Sequence, residues 1–475
     1  MPPLSENRTA MESREALHDR FGRNTVFDVL LRFSGDNAAL GAAIGAITDA
    51  GARVGNIDFT AAADKVFNYR LQVFTSGDAQ MAAAKAALEK TAGFEVTAVL
   101  DAALEAHRGG STYVKSRIPI RTNTDLRIVY TPGVARVCKA IEAKPELART
   151  YTGVGQRIAI CTDGTAILGL GNIGTLAGLP VMEGKAAIFA EFAGLSAEAV
   201  LINTRDSDDF IHVMETIAGS YGAIQVEDVK APECFAITRE LDRRLDIPVM
   251  HDDQHGTATI VLAGLFSALK QMGKKMGDLS CAISGAGAAG TAIADLLVHC
   301  GIADVVLVDS RGIVEESRGD LNEEKKALAR RTNKSKIKGA LADALKGREL
   351  FIGVSQPNIV TQDMVRSMAP RPLIFPLANP VSEISRPDAL AAGAALYADG
   401  RMMNNALAYP GLFRGALEAG AKIFTLEMLI AAAEALMALV PPGQLLPEMM
   451  DPATHEAVAA ATAKAASKGG TAINR

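Results

Sequence analysis

The sequence predicts an α/β protein of several domains. Three observations predict this class: short apolar strands alternate with helical segments along most of the chain, acidic residues follow two of those strands, and a glycine-rich turn joins another strand to a helix. Alternation of this kind is typical of parallel sheets that are covered by helices. Because 475 residues are too many for one hydrophobic core, we expect about two to four domains.

Composition and charge exclude several classes of function. Hydrophobic residues make up 49% of the chain, charged residues 22%, and the formal net charge is −5, so we expect a soluble protein with no nucleic-acid partner. The five cysteines have no regular spacing, which indicates reduced thiols. No signal peptide opens the chain, and the apolar stretch Phe424–Val440 carries Glu427 and Glu434. We therefore expect a core helix there, no membrane association and a cytoplasmic location.

The first region begins with a polar N-terminal arm, residues 1–20. From residue 21 to residue 105, strand and helix patterns follow in the order βαββαβ. The predicted elements are Thr25–Phe33, Ala38–Ala50, Arg53–Thr60, Val66–Phe74, Ala79–Lys90 and Glu95–Leu100. This order is that of a ferredoxin-like domain.

The order and spacing of these elements resemble an ACT domain, a regulatory module that usually pairs with copies of itself and binds small effectors. The Gly-Leu pair that usually opens the first helix of this module is absent, since the chain reads Asn37-Ala38-Ala39-Leu40. The resemblance to an ACT-like regulatory domain therefore implies either a small effector or a purely structural or dimerising role.

The second region, residues 106–262, has acidic residues at the ends of two predicted strands. Glu227 and Asp228 follow the strand Tyr221–Val226, and Asp253 follows the strand Ile247–Met250. Because a right-handed crossover brings the carboxyl ends of both parallel strands to one edge, the three carboxylates would converge. Oxygen ligands without cysteine suit Mg²⁺ or Mn²⁺, so we predict a metal site there.

Two histidines, His251 and His255, lie beside these acids in the segment His251-Asp252-Asp253-Gln254-His255-Gly256. A zinc site would need a third soft ligand aimed at the same point, and none is apparent in the sequence. We therefore interpret both histidines as structural or supporting residues.

The third region, residues 263–420, alternates strands and helices as a doubly wound, Rossmann-type sheet does. Its predicted strands are Ser280–Ser284, Val305–Val308, Leu350–Val354, Leu373–Pro376 and Ala395–Tyr397. Residues 421–475 are predicted to form helices that pack on the second region. The second region also has a predicted strand at Arg157–Cys161.

A glycine-rich turn opens this third region, between the strand Leu279–Ser284 and the helix Thr291–Cys300. It reads Gly285-Ala286-Gly287-Ala288-Ala289-Gly290, the fingerprint of a dinucleotide-binding turn. The first glycine permits the tight turn, the second lets a pyrophosphate approach the backbone, and the third allows close packing of helix on strand. The helix N-terminus adds free N–H donors.

The next strand ends at Asp309, nineteen residues after Gly290, where a ribose-binding carboxylate is expected. Asp309 favours NAD because a carboxylate repels a 2′-phosphate, whereas the following Ser310 and Arg311 could bind one. The sequence therefore predicts NAD as the cofactor, with NADP as the alternative.

Longer motifs between about Tyr113 and Ala421 resemble those of bacterial-type malic enzymes. The matching segments are Tyr130-Thr131-Pro132-Gly133-Val134-Ala135, the stretch from Thr162 to Gly174, Pro180-Val181-Met182-Glu183-Gly184-Lys185, Pro376-Leu377-Ala378-Asn379-Pro380 and the stretch from Asn404 to Gly411. The resemblance implies oxidative decarboxylation of L-malate to pyruvate and CO₂, with a nicotinamide cofactor and Mg²⁺ or Mn²⁺.

The resemblance also implies roles for single residues. Lys185 would be the general base that takes the C2 hydroxyl proton, with Asp252 as its charge partner, and Tyr130 would protonate C3 after loss of CO₂. Asn379 and Asn405 would contact the substrate and the nicotinamide.

One position departs from the animal relatives, which carry an arginine where this chain has Ala166. In those relatives the arginine helps to hold a substrate carboxylate. Bacterial-type members share its absence, so the resemblance leaves the carboxylate-binding residue open, with the two asparagines and the backbone amides near Gly133 as candidates.

Two other functions stay open at this point. A malolactic-type enzyme would keep NAD bound and release lactate, and a catalytically silent sensor with an ACT-like domain would bind the dinucleotide and metabolite without turnover. Whichever of these functions the chain has, the resemblance implies a homodimer or homotetramer.

Overall fold

The structure, a computed structural model, describes residues 25–34, 38–63, 66–379, 381–470 and 473–474. The chain divides into two compact units, Met1–Ser111 and Thr112–Arg475. The predicted N-terminal arm, residues 1–20, lies outside the described residues.

The first unit contains a four-stranded antiparallel sheet with the order β2-β3-β1-β4. Its elements are β1 (Thr25–Ser34), α1 (Ala38–Asp49), β2 (Arg53–Ala63), β3 (Val66–Thr75), α2 (Asp78–Lys90), β4 (Phe94–Asp101) and the short α3 (Ala102–Ala106). Along β1, Val29 and Leu31 are buried and Arg32 is exposed, as expected when one face of a sheet is covered. Ile47 of α1 and Leu88 of α2 belong to the same core as these strand residues.

The second unit contains two sheets joined by helices. Its elements up to the end of the first sheet are α4 (Asn123–Val129), α5 (Val134–Ala143), α6 (Ala148–Tyr151), β5 (Arg157–Thr162), α7 (Thr175–Ile188), β6 (Ser196–Leu201), α8 (Ser207–Ile217), β7 (Ala223–Val226), α9 (Glu233–Arg244) and β8 (Val249–His251). The remaining elements are α10 (Thr257–Met272), β9 (Ser280–Ser284), α11 (Ala288–His299), β10 (Asp304–Asp309), β11 (Gly312–Ile313), α12 (Glu323–Ala329), α13 (Leu341–Leu345), β12 (Leu350–Gly353), α14 (Gln362–Arg366), β13 (Leu373–Pro376), α15 (Arg386–Ala391), β14 (Leu396–Tyr397), α16 (Tyr409–Glu418), α17 (Leu426–Ala438) and α18 (Pro452–Ala466).

The first sheet of this unit is parallel, with the order β6-β5-β7-β8. Sequence patterns predicted β5, β7 and β8 but missed the edge strand β6. Its sequence, Ser-Ala-Glu-Ala-Val-Leu, is rich in residues that favour helices over strands. Pairing with β5, from Arg157 opposite Ser196 to Thr162 opposite Leu201, overrides that local preference.

The second sheet has the order β11-β10-β9-β12-β13-β14. Its strands are parallel except for the two-residue β11, which runs antiparallel to β10. The chain runs from β9 outward to β10 on one side and returns to β12 on the other. In a doubly wound sheet this change of direction opens a crevice at the carboxyl ends of the strands, and here it lies at the end of β9.

Helix α10 lies in the core that the two sheets share. Its Leu262 and Leu265 are fully buried in the same cluster as Ile160 of β5 and Ile283 of β9. The C-terminal helices continue this core, since α17 packs against α10, and α16 packs against the turn Phe189–Ala193. Within the described residues, none of the helices combines the length and apolarity needed to span a lipid bilayer.

Candidate active site

Acidic residues meet at the carboxyl edge of the first parallel sheet. Strands β7 and β8 are parallel neighbours, with Val226 opposite His251. Glu227 and Asp228 follow the end of β7, and the turn Asp252–Gly256 follows β8. The predicted crossover therefore has the register that brings the two acidic segments side by side.

The structure brings the three predicted metal carboxylates together. One oxygen each of Glu227, Asp228 and Asp253 lie within 4.8 Å of one another. The backbone N–H of Asp228 donates to Asp253 Oδ2 at 3.1 Å, and Leu168 N–H donates to Asp228 Oδ1 at 3.3 Å. Asp228 has a φ of 52°, in the left-handed region, which is uncommon for residues other than glycine and here turns its carboxylate toward Asp253.

These carboxylates have chemistry that fits a hard divalent cation. Glu227 and Asp228 are buried, and Asp228 Oδ2 has no hydrogen-bond partner among the described residues. Burial and the neighbouring Asp253 raise the pKa of Asp228 to about 7. A cluster of oxygen donors whose negative charges disfavour one another is suited to Mg²⁺ or Mn²⁺, which supplies the missing positive charge.

Among the described residues, Lys185 of α7 is the one cation that contacts this cluster. Its side chain is 12% exposed, and its Nζ donates to Asp252 and lies 2.8 Å from Glu227 Oε1. Burial alone would lower the pKa of Lys185, but the Asp252 and Glu227 carboxylates outweigh it and raise that pKa well above its usual value. The ring of Tyr409 lies 4.9 Å from the same Nζ and adds a cation–π contact.

Asp252 lies at the centre of the contacts around Lys185. It is fully buried, and its Oδ2 accepts from Lys185 Nζ and, at 2.6 Å, from Asn405 Nδ2. A Cβ at Gly256 would overlap Asp252 Oδ1, so glycine makes room for the carboxylate. The structure therefore brings together Lys185, Asp252 and Asn405, which come from three distant segments.

Two predicted residues are not joined to this cluster. The side chain of Tyr130, at the end of α4, is exposed, and its hydroxyl makes no hydrogen bond to any described residue. Asn379 is exposed in the loop after β13, beside Gly400, and Pro380 of the same motif lies outside the described residues. Ala166 N–H donates to Asp228 O at 3.0 Å, so this position supports the three-carboxylate group through its backbone.

The two histidines beside the acids are buried. His251 Nε2 contacts Val229 O at 3.3 Å, and His251 Nδ1 lies 3.6 Å from Asp253 Oδ2. Burial lowers the pKa of both rings, that of His255 to about 3, so both are neutral near pH 7. Neither belongs to the three-carboxylate group, in keeping with the supporting role predicted for them.

The glycine-rich turn lies at the crevice of the second sheet, between β9 and α11. Gly285 has a φ of 110°, which favours glycine. A Cβ at Gly290 would overlap Gly285 O, whereas a Cβ at Gly287 would meet no atom within 4 Å. The first and third glycines therefore allow close packing, and the second leaves open space in front of the helix N-terminus, as a pyrophosphate requires.

A cleft of about 1080 Å³ extends from this turn and is lined by Asp309, Ser310 and Arg311 among others. Asp309 bonds there to two cations that the sequence reasoning missed. Arg318 Nη1 donates to Asp309 Oδ1 at 2.8 Å, and Lys325 Nζ donates to Asp309 Oδ2 at 2.7 Å. Basic residues in the loop after β10 were a visible signal, but spacing alone did not indicate which of them would fold back.

Tyr409 is a third residue that sequence reasoning did not single out. It belongs to the quoted segment that ends at Gly411, but its burial beside Lys185 follows from packing, since its ring lies 4.9 Å from that of Phe189. No sequence pattern identifies such a contact in advance.

Comparison with known proteins places these features in one family. Residues 111–242 match the family described as malic enzyme, N-terminal domain, and residues 254–468 match the malic enzyme NAD binding domain. A bifunctional malic/malolactic enzyme of Bacillus subtilis is 44% identical over 78% of this chain and 93% of its own length. An NADP-dependent malic enzyme of Escherichia coli is 39% identical over 76% of this chain and 51% of its own. The crystal structure of an NAD-dependent malic enzyme from Thermotoga maritima is similar, with a TM-score of 0.74 and 39% identity over 77% of this chain and 99% of that one.

Proposed function

The chain belongs to the malic enzyme family and oxidatively decarboxylates malate, and we propose that Lys185, Asp252 and Tyr130 are the residues that move and hold the protons of that reaction. The observation that carries this proposal is the position of Lys185. Its amine contacts the buried carboxylates of Asp252 and Glu227, beside the three-carboxylate group.

A divalent cation and a nicotinamide dinucleotide would supply the Lewis acid and the hydride acceptor, which no amino-acid side chain provides. A divalent cation held by Glu227, Asp228 and Asp253 would act as a Lewis acid toward the oxygens of malate, and NAD(P)⁺ would accept the hydride from C2. The open position in front of Gly287 and the free oxygen of Asp228 support these two assignments. Asp309, Ser310 and Arg311 line the part of the cleft that would hold the adenosine.

A divalent cation at the three-carboxylate group would offset the carboxylates that raise the pKa of Lys185. The neutral amine would then take the proton of the C2 hydroxyl as the hydride leaves C2. Asp252 holds Lys185 Nζ, and Asn405 donates to the same oxygen of Asp252, so the carboxylate that directs the amine is itself fixed. Loss of CO₂ from the β-keto acid then leaves an electron pair on C3. Tyr130 would donate a proton to this carbon, which yields pyruvate.

Asn379 and Asn405 remain the proposed contacts of the substrate and the nicotinamide. Asn405 already hydrogen-bonds Asp252, which puts its side chain beside the base. The resemblance stated above supports Asn379, whose loop follows β13 at the same edge of the second sheet as the glycine turn.

We also propose that residues 21–105 form an ACT-like domain, which would either bind a small effector or have a structural or dimerising role, and that the chain forms a homodimer or homotetramer. The βαββαβ order and the sheet order β2-β3-β1-β4, which is that of ferredoxin-like domains, support the first part. The proposed substrate domain is 106–262, the Rossmann-type cofactor domain is 263–420, and the C-terminal helices are 421–475. The packing of α17 on α10 supports this last assignment.

The direct test is turnover by the purified protein with L-malate, Mn²⁺ and either NAD⁺ or NADP⁺. We expect malate-dependent formation of reduced nicotinamide together with an equal amount of pyruvate. Lactate without net reduced nicotinamide would instead indicate malolactic chemistry, and dinucleotide binding without any product would indicate a silent sensor.

A further inference from the structure

Positive charge is in excess at the end of the dinucleotide cleft that lies beyond the glycine turn. This end is formed by the loop after β10, where a Rossmann-type fold receives the adenosine ribose. The charged side chains that line it are four cations and two carboxylates: Arg311, Arg318, Lys325 and Lys338, with Asp309 and Glu315. A third carboxylate, Asp320, pairs with Arg311 and Arg318, which leaves one positive charge in excess.

Asp309 has no acceptor position left for a ribose hydroxyl. Its Oδ1 accepts from Arg311 N–H at 3.0 Å and from Arg318 Nη1 at 2.8 Å. Its Oδ2 accepts from Arg318 Nη2 at 3.1 Å and from Lys325 Nζ at 2.7 Å. A carboxylate offers about four lone-pair sites, so these four donors saturate it.

The same contacts remove the reason for expecting NAD. A free carboxylate at this position would accept the 2′-hydroxyl of NAD and repel a 2′-phosphate. Here the guanidinium of Arg318 and the ammonium of Lys325 compensate the charge of Asp309 within hydrogen-bonding distance. The carboxylate thus acts as an anchor for the two cations.

Two further cations lie at the rim with side chains free to turn. The Arg311 side chain is 70% exposed and lies 3.1 Å from Asp320 Oδ2. The Lys338 side chain is 66% exposed, and its Nζ donates to Ser317 Oγ at 2.7 Å and lies 3.6 Å from Glu315 Oε1. Exposed ion pairs of this kind are weak, so both cations can exchange their partners for a phosphate, which is a stronger and doubly charged acceptor.

We infer that this end of the cleft is a 2′-phosphate subsite formed by Arg311, Lys325 and Lys338, so that the chain uses NADP⁺ in preference to NAD⁺. The inference rests on the proposed function for the identity of the cofactor as a nicotinamide dinucleotide. Arg318 is a positioning residue, because it holds Asp309 and Asp320 and thereby fixes the loop that carries Arg311.

Calorimetric titration with 2′,5′-ADP and with ADP tests the subsite without any turnover. We expect 2′,5′-ADP to bind at least about tenfold more tightly, which corresponds to about 1.4 kcal/mol, because its 2′-phosphate adds charge-assisted hydrogen bonds to the cations. Lys325→Met and Arg311→Met should each lower the affinity for 2′,5′-ADP by about tenfold and leave the affinity for ADP undiminished. Lys326→Met, which removes a neighbouring lysine paired with Glu323, should change neither affinity.

Steady-state kinetics with both dinucleotides separates the two proposals. We expect kcat/KM for NADP⁺ to exceed that for NAD⁺ by about tenfold or more, by the same energies. Tight binding of 2′,5′-ADP without malate-dependent turnover would contradict the proposed function and leave the subsite standing. Equal or tighter binding of ADP, or binding of neither nucleotide, would overturn the subsite even if NAD⁺ supports turnover.

Discussion

At the carboxyl ends of β7 and β8 four carboxylates surround one lysine, whereas at the carboxyl end of β10 four cations meet three carboxylates. In both places the minority charge is fully engaged: Lys185 contacts Asp252 and Glu227, and Asp309 accepts four hydrogen bonds. The unbalanced charge indicates what each site binds, a divalent cation in the first and a phosphate in the second.

The two sites also differ in burial, which decides how strongly each charge acts. Asp252 is fully buried and Lys185 is 12% exposed, whereas the Arg311 side chain is 70% exposed. Coulomb interactions are strongest where water is excluded. Changes at the lysine cluster should therefore have larger effects than changes at the cofactor rim.

The largest effect is expected from removing the titratable amine while keeping its charge. Lys185→Arg retains a cation beside Asp252, but arginine cannot give up its proton near neutral pH. If Lys185 is the base, kcat should fall by about 10²–10⁴-fold, the range typical of general-base residues. Stopped assays of pyruvate formation measure this loss.

The control for that variant is Lys230→Arg, at an exposed lysine 3.2 Å from Glu233 on the same edge of the sheet. It should keep full activity, and both variants should bind Mn²⁺ as the unmodified protein does. Full turnover by Lys185→Arg would remove Lys185 from the mechanism.

Asp253→Asn is expected to have two smaller effects of opposite sign, a loss of Mn²⁺ affinity and a gain in the stability of the metal-free protein. Removing one of the converging charges should lower the affinity for Mn²⁺ by at least about 100-fold. Even residues that only hydrogen-bond to metal ligands contribute about 10–100-fold to metal affinity. The metal-free protein should become more stable, because one like-charge repulsion is gone. Titration with Mn²⁺ followed by electron paramagnetic resonance measures the first change, and urea unfolding in the presence of a chelator measures the second.

Asp246→Asn provides the matched control, since it removes an acid that is 87% exposed and remote from the cluster. It should leave both Mn²⁺ affinity and metal-free stability unchanged. Unaltered Mn²⁺ affinity in Asp253→Asn would contradict the three-carboxylate site.

The glycine turn allows packing and binding to be separated with a pair of alanine variants. Gly290→Ala should lower the free energy of unfolding by about 1–3 kcal/mol, because its Cβ would overlap Gly285 O. Gly287→Ala has open space for its Cβ and should leave the free energy of unfolding unchanged. It should lower the affinity for dinucleotides by about tenfold, or about 1.4 kcal/mol. Urea unfolding and calorimetry on both variants check this, and equal effects on stability would contradict the distinction.

The smallest effect is expected at Asp242, a carboxylate of α9 outside both sites. Burial raises its pKa to about 6, and its Oδ1 has no partner among the described residues. Because the folded-state pKa exceeds the unfolded value of about 3.9, ionisation costs stability as pH rises through 6. Asp242→Asn should stabilise the protein at pH 8 by about 1 kcal/mol, after allowance for partial solvent screening.

The sign of that effect is checked by urea unfolding at several pH values. The gain should disappear below the unfolded-state pKa, where the carboxyl is neutral in both states. A gain that is the same at every pH would mean that the charge of Asp242 is not its cause.

Sequence patterns came close to the fold where the signal is local. The strands Ser280–Ser284 and Leu373–Pro376 have the predicted bounds, because each is a short apolar run next to a turn. Sequence patterns did not predict β6, because its Ser-Ala-Glu-Ala-Val-Leu sequence carries no strand signal. This segment becomes a strand through pairing with β5. The prediction that three carboxylates converge needed only the parallel register of β7 and β8, which the crossover rule supplies.

The sequence by itself determined where the carboxylates and the glycine turn would lie, because strand ends and turns are set by neighbouring residues. Only the tertiary structure decided which charges would pair. Asp252 meets Lys185 from 67 residues away and Asn405 from 153 residues away, and Asp309 meets Arg318 and Lys325 after the chain folds back. Coulomb and hydrogen-bond energies depend on distances in space, so a carboxylate expected to bind ribose became the anchor of two cations.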